Sequence, residues 1–139
     1  AQGRVMRRSR VLSADVSAAY DPCYGEVFDK RNCAYLGKGP VFNKYTGARG
    51  KSGSNDANAE YLAVIRKMLH DDDVTFQSAE LGKVDAGGGG TIAYMAARYC
   101  MEVVDCGIAV LSMHAPFEVI SKADLYETFR CYRTFFEKA

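Results

Sequence analysis

Asp15 and His114 each follow a short apolar run, so each side chain stands at a strand exit, where α/β proteins gather their functional groups. His114 lies in Leu111-Ser112-Met113-His114-Ala115-Pro116-Phe117-Glu118, and Pro116 forces an extended turn just beyond it. A neutral imidazole there can bind zinc, or can serve as a hydrogen-bonded histidine at a strand end. Asp15 can offer a carboxylate to a metal, or can cap the turn that follows. The run Gly87-Gly88-Gly89-Gly90-Thr91 lets the backbone approach a ligand closely ahead of a helix with free N–H groups. No Lys-Ser or Lys-Thr pair follows these glycines and G-x-G-x-x-G is absent, so the plausible guest is a carboxylate or carbonyl oxygen rather than a nucleotide phosphate. A plain strand-to-helix connection is the other reading. His70, beside Asp71, Asp72 and Asp73, reads as a solvated helix end, because a calcium loop needs spaced oxygen ligands and a later Glu.

The elements that position these residues follow from periodicity. Val11 to Asp15, Pro40 to Tyr45 and Val74 to Ala79 read as strands by β-branched and aromatic content. Glu102 to His114 is apolar almost throughout and broken by Gly107, which suits one or two strands buried on both faces. Residues 56–70 place Tyr61, Leu62, Ile65 and Leu69 on one helical stripe behind cap candidates Ser54 and Asn55. Residues 91–100 repeat Ile92, Met95, Ala96 and Tyr99 at helical spacing. The last helix starts at a Ser121/Asp124 capping box and sets Leu125, Phe129, Tyr132 and Phe136 along an expected core face. Alternating strands and helices predict one α/β domain, a sheet flanked by helices, with residues 47–58 as a functional loop.

Composition narrows the classes. A net charge of +1 supplies no field for nucleic acid or an anionic membrane, and the Arg4, Arg7, Arg8, Arg10 cluster lacks interleaved aromatics, so it reads as a solvated lead-in. No apolar run reaches membrane-spanning length and no signal sequence opens the chain. The five cysteines are odd in number and scattered without C-x-x-C spacing, which points to reduced thiols and a cytoplasmic setting.

Taken together and in order, Ser13-Ala14-Asp15, Lys44-Tyr45-Thr46-Gly47, Gly53-Ser54-Asn55-Asp56-Ala57-Asn58-Ala59-Glu60, Glu80-Leu81-Gly82-Lys83-Val84-Asp85, Gly87-Gly88-Gly89-Gly90-Thr91-Ile92 and Ser112-Met113-His114-Ala115-Pro116-Phe117-Glu118 resemble the bacterial form of the aspartyl aminopeptidase / aminopeptidase I family. The resemblance implies a zinc-peptidase (phosphorylase/hydrolase-like) fold and a zinc pair that activates water for attack on the first peptide bond of an unblocked peptide. It implies that Asp15 ligates one zinc and His114 the other, a partial site, since the family's remaining ligands and its general base have no counterpart here. Gly89, Gly90, Thr91 and Lys44 are the implied substrate contacts, with Lys83 a further lysine able to meet a carboxylate. Residues 1–139 then correspond to the C-terminal part of the catalytic domain, without its N-terminal part and without the family's inserted second domain. A peptide substrate and a homo-oligomer follow from the same resemblance. The competing expectation is a non-catalytic domain that keeps the peptidase core for assembly or peptide binding.

Overall fold

A computed structural model describes residues 2–48, 52–83 and 91–139. Its centre is a four-stranded sheet in the order β1-β7-β3-β6, formed by β1 (Arg10–Ser13), β7 (Glu102–Gly107), β3 (Val41–Asn43) and β6 (Gln77–Ala79). β1 runs parallel to β7, β3 antiparallel to β7, and β6 parallel to β3. Beyond the bend at Asp15 and Gly107 the same two chain segments pair again, as β2 (Ser17–Ala18) and β8 (Ala109–Leu111), with β9 (Val119–Ile120) antiparallel to β8. The apolar segment expected at 102–114 is therefore two strands separated by the bend.

The two faces of the central sheet differ, because successive side chains of a strand alternate. Phe42, Val104 and Cys106 pack with Tyr61, Ile65, Met68 and Leu69 of α2 (Ala59–Asp71) and with Cys131 and Phe135 of α4 (Lys122–Lys138). The opposite face carries Ser13, Asp105 and Asn43 in one cross-strand row. It is approached by the hairpin of β4 (Tyr45–Ala48) with β5 (Ser52–Asp56) and by the segment from Thr91 into α3 (Ala93–Ala97).

Three sequence expectations need correction. The stretch 47–58 is largely this hairpin rather than an irregular loop; Ser54 and Asn55 lie in β5, and the cap of α2 is Asn58, whose side chain accepts from Tyr61 N. Residues 91–100 yield only a five-residue helix, with Ile92, Met95 and Tyr99 exposed. The third concerns α4. Its buried face is Asp124, Thr128, Cys131, Thr134 and Phe135, while Leu125, Phe129 and Phe136 are 53%, 60% and 85% exposed. Both stripes have helical spacing and are offset by one residue. The polar one is buried because Asp124 accepts from the backbone N–H of Gly37 (2.7 Å) and Gly39 (2.8 Å), while Thr128 Oγ1 donates to the Asp124 carbonyl (2.7 Å). Hydrophobic periodicity cannot see hydrogen bonds that make a polar face the inner one. Ser121 caps the helix as expected, but the Asp124 carboxylate reaches the glycine turn instead of closing a capping box.

The arginine-rich lead-in contains α1 (Gln2–Met6), a short helix with no buried residue. α4 is tied to the end of α2 through Asp72, which receives Thr134 Oγ1 (2.7 Å) and Lys138 Nζ and whose carbonyl accepts from Arg130 (2.7 Å). The Lys138 ammonium and the Thr134 hydroxyl hold the Asp72 carboxyl below the usual carboxylate range.

Candidate metal and substrate site

Asp15 sits in the three-residue joint between β1 and β2, half-buried. Its position is fixed from two sides. Its own Oδ1 accepts from the amide of the next residue, Val16 N (2.9 Å), as the chain leaves β1. Its carbonyl passes directly over Gly107, where a Cβ would stand 1.6 Å from the oxygen, so only glycine allows the joint to lie against β7. The second carboxylate oxygen, Oδ2, makes no hydrogen bond among the described residues.

His114 lies in the turn between β8 and β9, and its side chain is exposed. Ser112 and His114 both adopt left-handed backbone, at φ 57° and 68°. Such conformations cost non-glycine residues and persist where the surroundings impose them. Here Ala115 N donates to Ser112 O (3.0 Å) and the His114 N–H donates to Glu118 Oε1 (2.6 Å), so the carboxylate of Glu118 closes the turn that projects the imidazole.

An imidazole nitrogen and a free carboxylate oxygen are both ordinary zinc donors, so the residues present fit the metal as ligands. They do not complete a site: among the described residues no three His, Cys, Asp or Glu side chains gather closely enough to hold an ion.

Of the expected substrate contacts, Gly89 and Gly90 lie outside the described residues. Thr91 is buried, and its hydroxyl donates to Asp105 Oδ2 (2.8 Å) while accepting from Ala93 N (3.3 Å). Lys44 pairs with Asp56 across the start of the β4–β5 hairpin, both partly open to solvent. Glu80, just past β6, is close enough to feel both charges. Burial pushes its carboxyl above the usual range, Lys44 pulls it down and Asp56 pushes it further up.

Asp105 is the residue that sequence reasoning passed over. It is fully buried at the centre of the polar row, with Thr91 Oγ1 at 2.8 Å and Thr46 Oγ1 at 3.5 Å from Oδ2. Ser13 is its register partner on β1, and Asn43, its partner on β3, accepts from Ser17 Oγ (3.1 Å). Asp105 Oδ1 and Ser13 Oγ are both buried and unpaired among the described residues. Burial raises the Asp105 carboxyl above the usual range; the hydroxyls of Ser13 and Thr91 pull it back, the Asp15 charge raises it, and Thr46 lowers it. The available signal was an acidic residue inside a run otherwise fit for a fully buried strand, a placement that is costly unless partners are built around it.

A family model described as aminopeptidase I zinc metalloprotease (M18) matches residues 1–136. A probable M18 family aminopeptidase 1 of Clostridium acetobutylicum is 62% identical over 132 residues, covering 95% of this chain and 28% of that protein. One from Thermotoga maritima is 52% identical over 134 residues, covering 96% and 30%. The crystal structure of aminopeptidase I from C. acetobutylicum superimposes with a TM-score of 0.88 at 64% identity, over 93% of this chain and 28% of that one. The T. maritima M18 aminopeptidase structure gives 0.94 at 50% identity, over 99% and 31%. The S. cerevisiae mApe1 dodecamer, at 22% identity and a TM-score of 0.78, shares the fold. The chain thus spans less than a third of the length of these curated relatives.

Proposed function

The chain belongs to the aminopeptidase I (M18) zinc metalloprotease family, and from that premise we propose that it is the C-terminal part of the catalytic domain of a two-zinc aminopeptidase. The observation that carries the reading is the pair of unengaged donors: Asp15, held against Gly107 with one carboxylate oxygen free, and His114, projected on a turn closed by Glu118. In this reading Asp15 holds one zinc and His114 the other, while the family's remaining ligands and general base come from polypeptide outside these residues. Zinc, when bound, supplies Lewis acidity that makes a water nucleophilic near neutral pH and offsets developing negative charge.

The chain's own residues position and bind. Gly89, Gly90 and Thr91 are assigned to substrate contact from the family resemblance, and Lys44 meets a substrate carboxylate after exchanging Asp56 for it. That exchange costs little, since an exposed ion pair is worth about 0–1 kcal/mol. The protein acts in the cytoplasm, in keeping with five unpaired cysteines, and as a homo-oligomer. Among the described residues no helix is long and apolar enough to cross a membrane. The non-catalytic alternative is not favoured by the matches, which are to a zinc metalloprotease family and to probable aminopeptidases.

The test is made on the complete polypeptide that carries this chain. Zinc is measured after dialysis, together with release of N-terminal residues from a panel of unblocked aminoacyl p-nitroanilides. Asp15→Ala and His114→Ala should each lower the zinc content and abolish chelator-sensitive release. Full zinc content in both variants would sink the ligand assignment.

A further inference from the structure

Asp105 makes no hydrogen bond to either proposed ligand, yet it pairs in register with Ser13, two residues before Asp15, and is close enough to feel the Asp15 charge. Its Oδ2 collects the hydroxyl of Thr91, the residue that ends the glycine run, and lies 3.5 Å from Thr46 Oγ1 of β4. Its other oxygen lies beside Ser13, the last residue of β1 before the Asp15 joint. Thr91 in turn accepts from Ala93 N, so the hydroxyl that Asp105 orients also fixes the first turn of α3. A buried carboxyl is a costly way to fill a β-sheet, and this one gathers groups from three segments, β1, β4 and the segment leading into α3.

We propose that Asp105 is a positioning residue for the peptidase reaction: it holds Thr91 against the polar face of the central sheet, beside the end of β1 that leads into the Asp15 joint. The proposal rests on the aminopeptidase reading. Its action is through hydrogen-bond acceptance, not through charge, because the partners on Oδ2 are neutral hydroxyls. Asparagine keeps an acceptor for Thr91 and presents its amide to Ser13, whereas alanine keeps neither. Thr91→Val removes the same bond from the other side.

The experiment compares Asp105→Asn, Asp105→Ala, Thr91→Val and the double variant Asp105→Ala/Thr91→Val in the complete polypeptide. Hydrogen exchange of the peptide spanning 91–98 is followed alongside zinc content and steady-state kinetics on the p-nitroanilide panel. Asp105→Ala and Thr91→Val should each speed exchange in 91–98 and raise KM about tenfold, with kcat changed less than about threefold and zinc retained. The double variant should fall short of the sum of the two single effects, because the Asp105–Thr91 bond is lost in both. Asp105→Asn should keep KM within about threefold of the parent. Unchanged exchange in Asp105→Ala overturns the proposal, as does Asp105→Asn behaving like Asp105→Ala, or a fall in zinc and kcat at constant KM. If the parent releases no N-terminal residue, the peptidase reading fails on its own, while the exchange data still decide whether Asp105 fixes Thr91.

Discussion

Replacing Asp124 by alanine should be among the most damaging single changes in α4, although the residue has no part in the proposed chemistry. Its carboxylate is 1% exposed and accepts from two backbone N–H groups, Gly37 at 2.7 Å and Gly39 at 2.8 Å. Gly37 and Gly39 both have left-handed backbone, at φ 81° and 78°, and a Cβ on Gly39 would stand 2.2 Å from the Thr75 carbonyl oxygen. The turn is thus wedged between Thr75 and α4 and has no room to find other partners. Gly37 is exposed, so its N–H recovers water when the carboxylate is removed; Gly39 is buried, so its N–H does not. A hydrogen bond to a charged group contributes about 1.5–3 kcal/mol and a stranded buried donor costs about 1–3 kcal/mol, which gives about 3–5 kcal/mol for Asp124→Ala. Asp124→Asn keeps one acceptor but turns an amide N–H₂ toward a donor, and should lose about 2–3 kcal/mol. Urea unfolding followed by circular dichroism reads both, and Asp124→Ala should lower Tm by about 10–15 °C. A loss below about 1 kcal/mol for Asp124→Ala, or equal losses for the two variants, would refute the argument that these two bonds make the polar stripe the buried one.

Asp105→Asn should show a pH-dependent gain. The folded chain holds the Asp105 proton more tightly than its usual 3.8, so the parent loses stability as pH rises from that value through the raised one, and asparagine does not. Thermal melts should therefore favour the variant more at pH 7 than at pH 3, and the reverse order would contradict it. Gly107→Ala, with its Cβ against the Asp15 carbonyl, should destabilise by about 2–4 kcal/mol and lower zinc retention although it alters no ligand; melting and metal analysis check both. The 139-residue chain alone should release no N-terminal residues with added zinc, a result that a p-nitroanilide assay with and without chelator reads directly. Because Leu125, Phe129 and Phe136 are exposed on one side of α4, the chain should self-associate at micromolar concentration, and Leu125→Glu/Phe129→Glu should shift its sedimentation toward monomer.

The sheet and its long helices were legible because burial leaves a period. Tyr61, Ile65 and Leu69 are buried as their spacing predicts, and the Glu102 to His114 run does form buried strands. What periodicity could not rank was two competing stripes on α4, where a carboxylate and two amide groups outweigh three apolar side chains. Asp15 and His114 were legible as strand-exit residues, since a polar group after an apolar run stands out. Asp105 was not, because reading the run as apolar absorbed it, and its partners Ser13, Thr46 and Thr91 come from segments up to about 90 residues apart.

The same long separation governs when the Asp15 joint comes into being. Arg10 of β1 pairs with Glu102 of β7, about 90 residues later in the chain. At a synthesis rate of about 5–20 residues per second, β1 waits roughly 5–20 s after leaving the ribosome before its partner exists. Throughout that interval Val11 and Leu12 lack their β7 partners Val103 and Val104, and the carbonyl of Asp15 has no Gly107 beneath it. The joint is therefore assembled only after Gly107 has followed it out of the ribosome, so the geometry of Asp15 depends on a contact made long after Asp15 itself is synthesised.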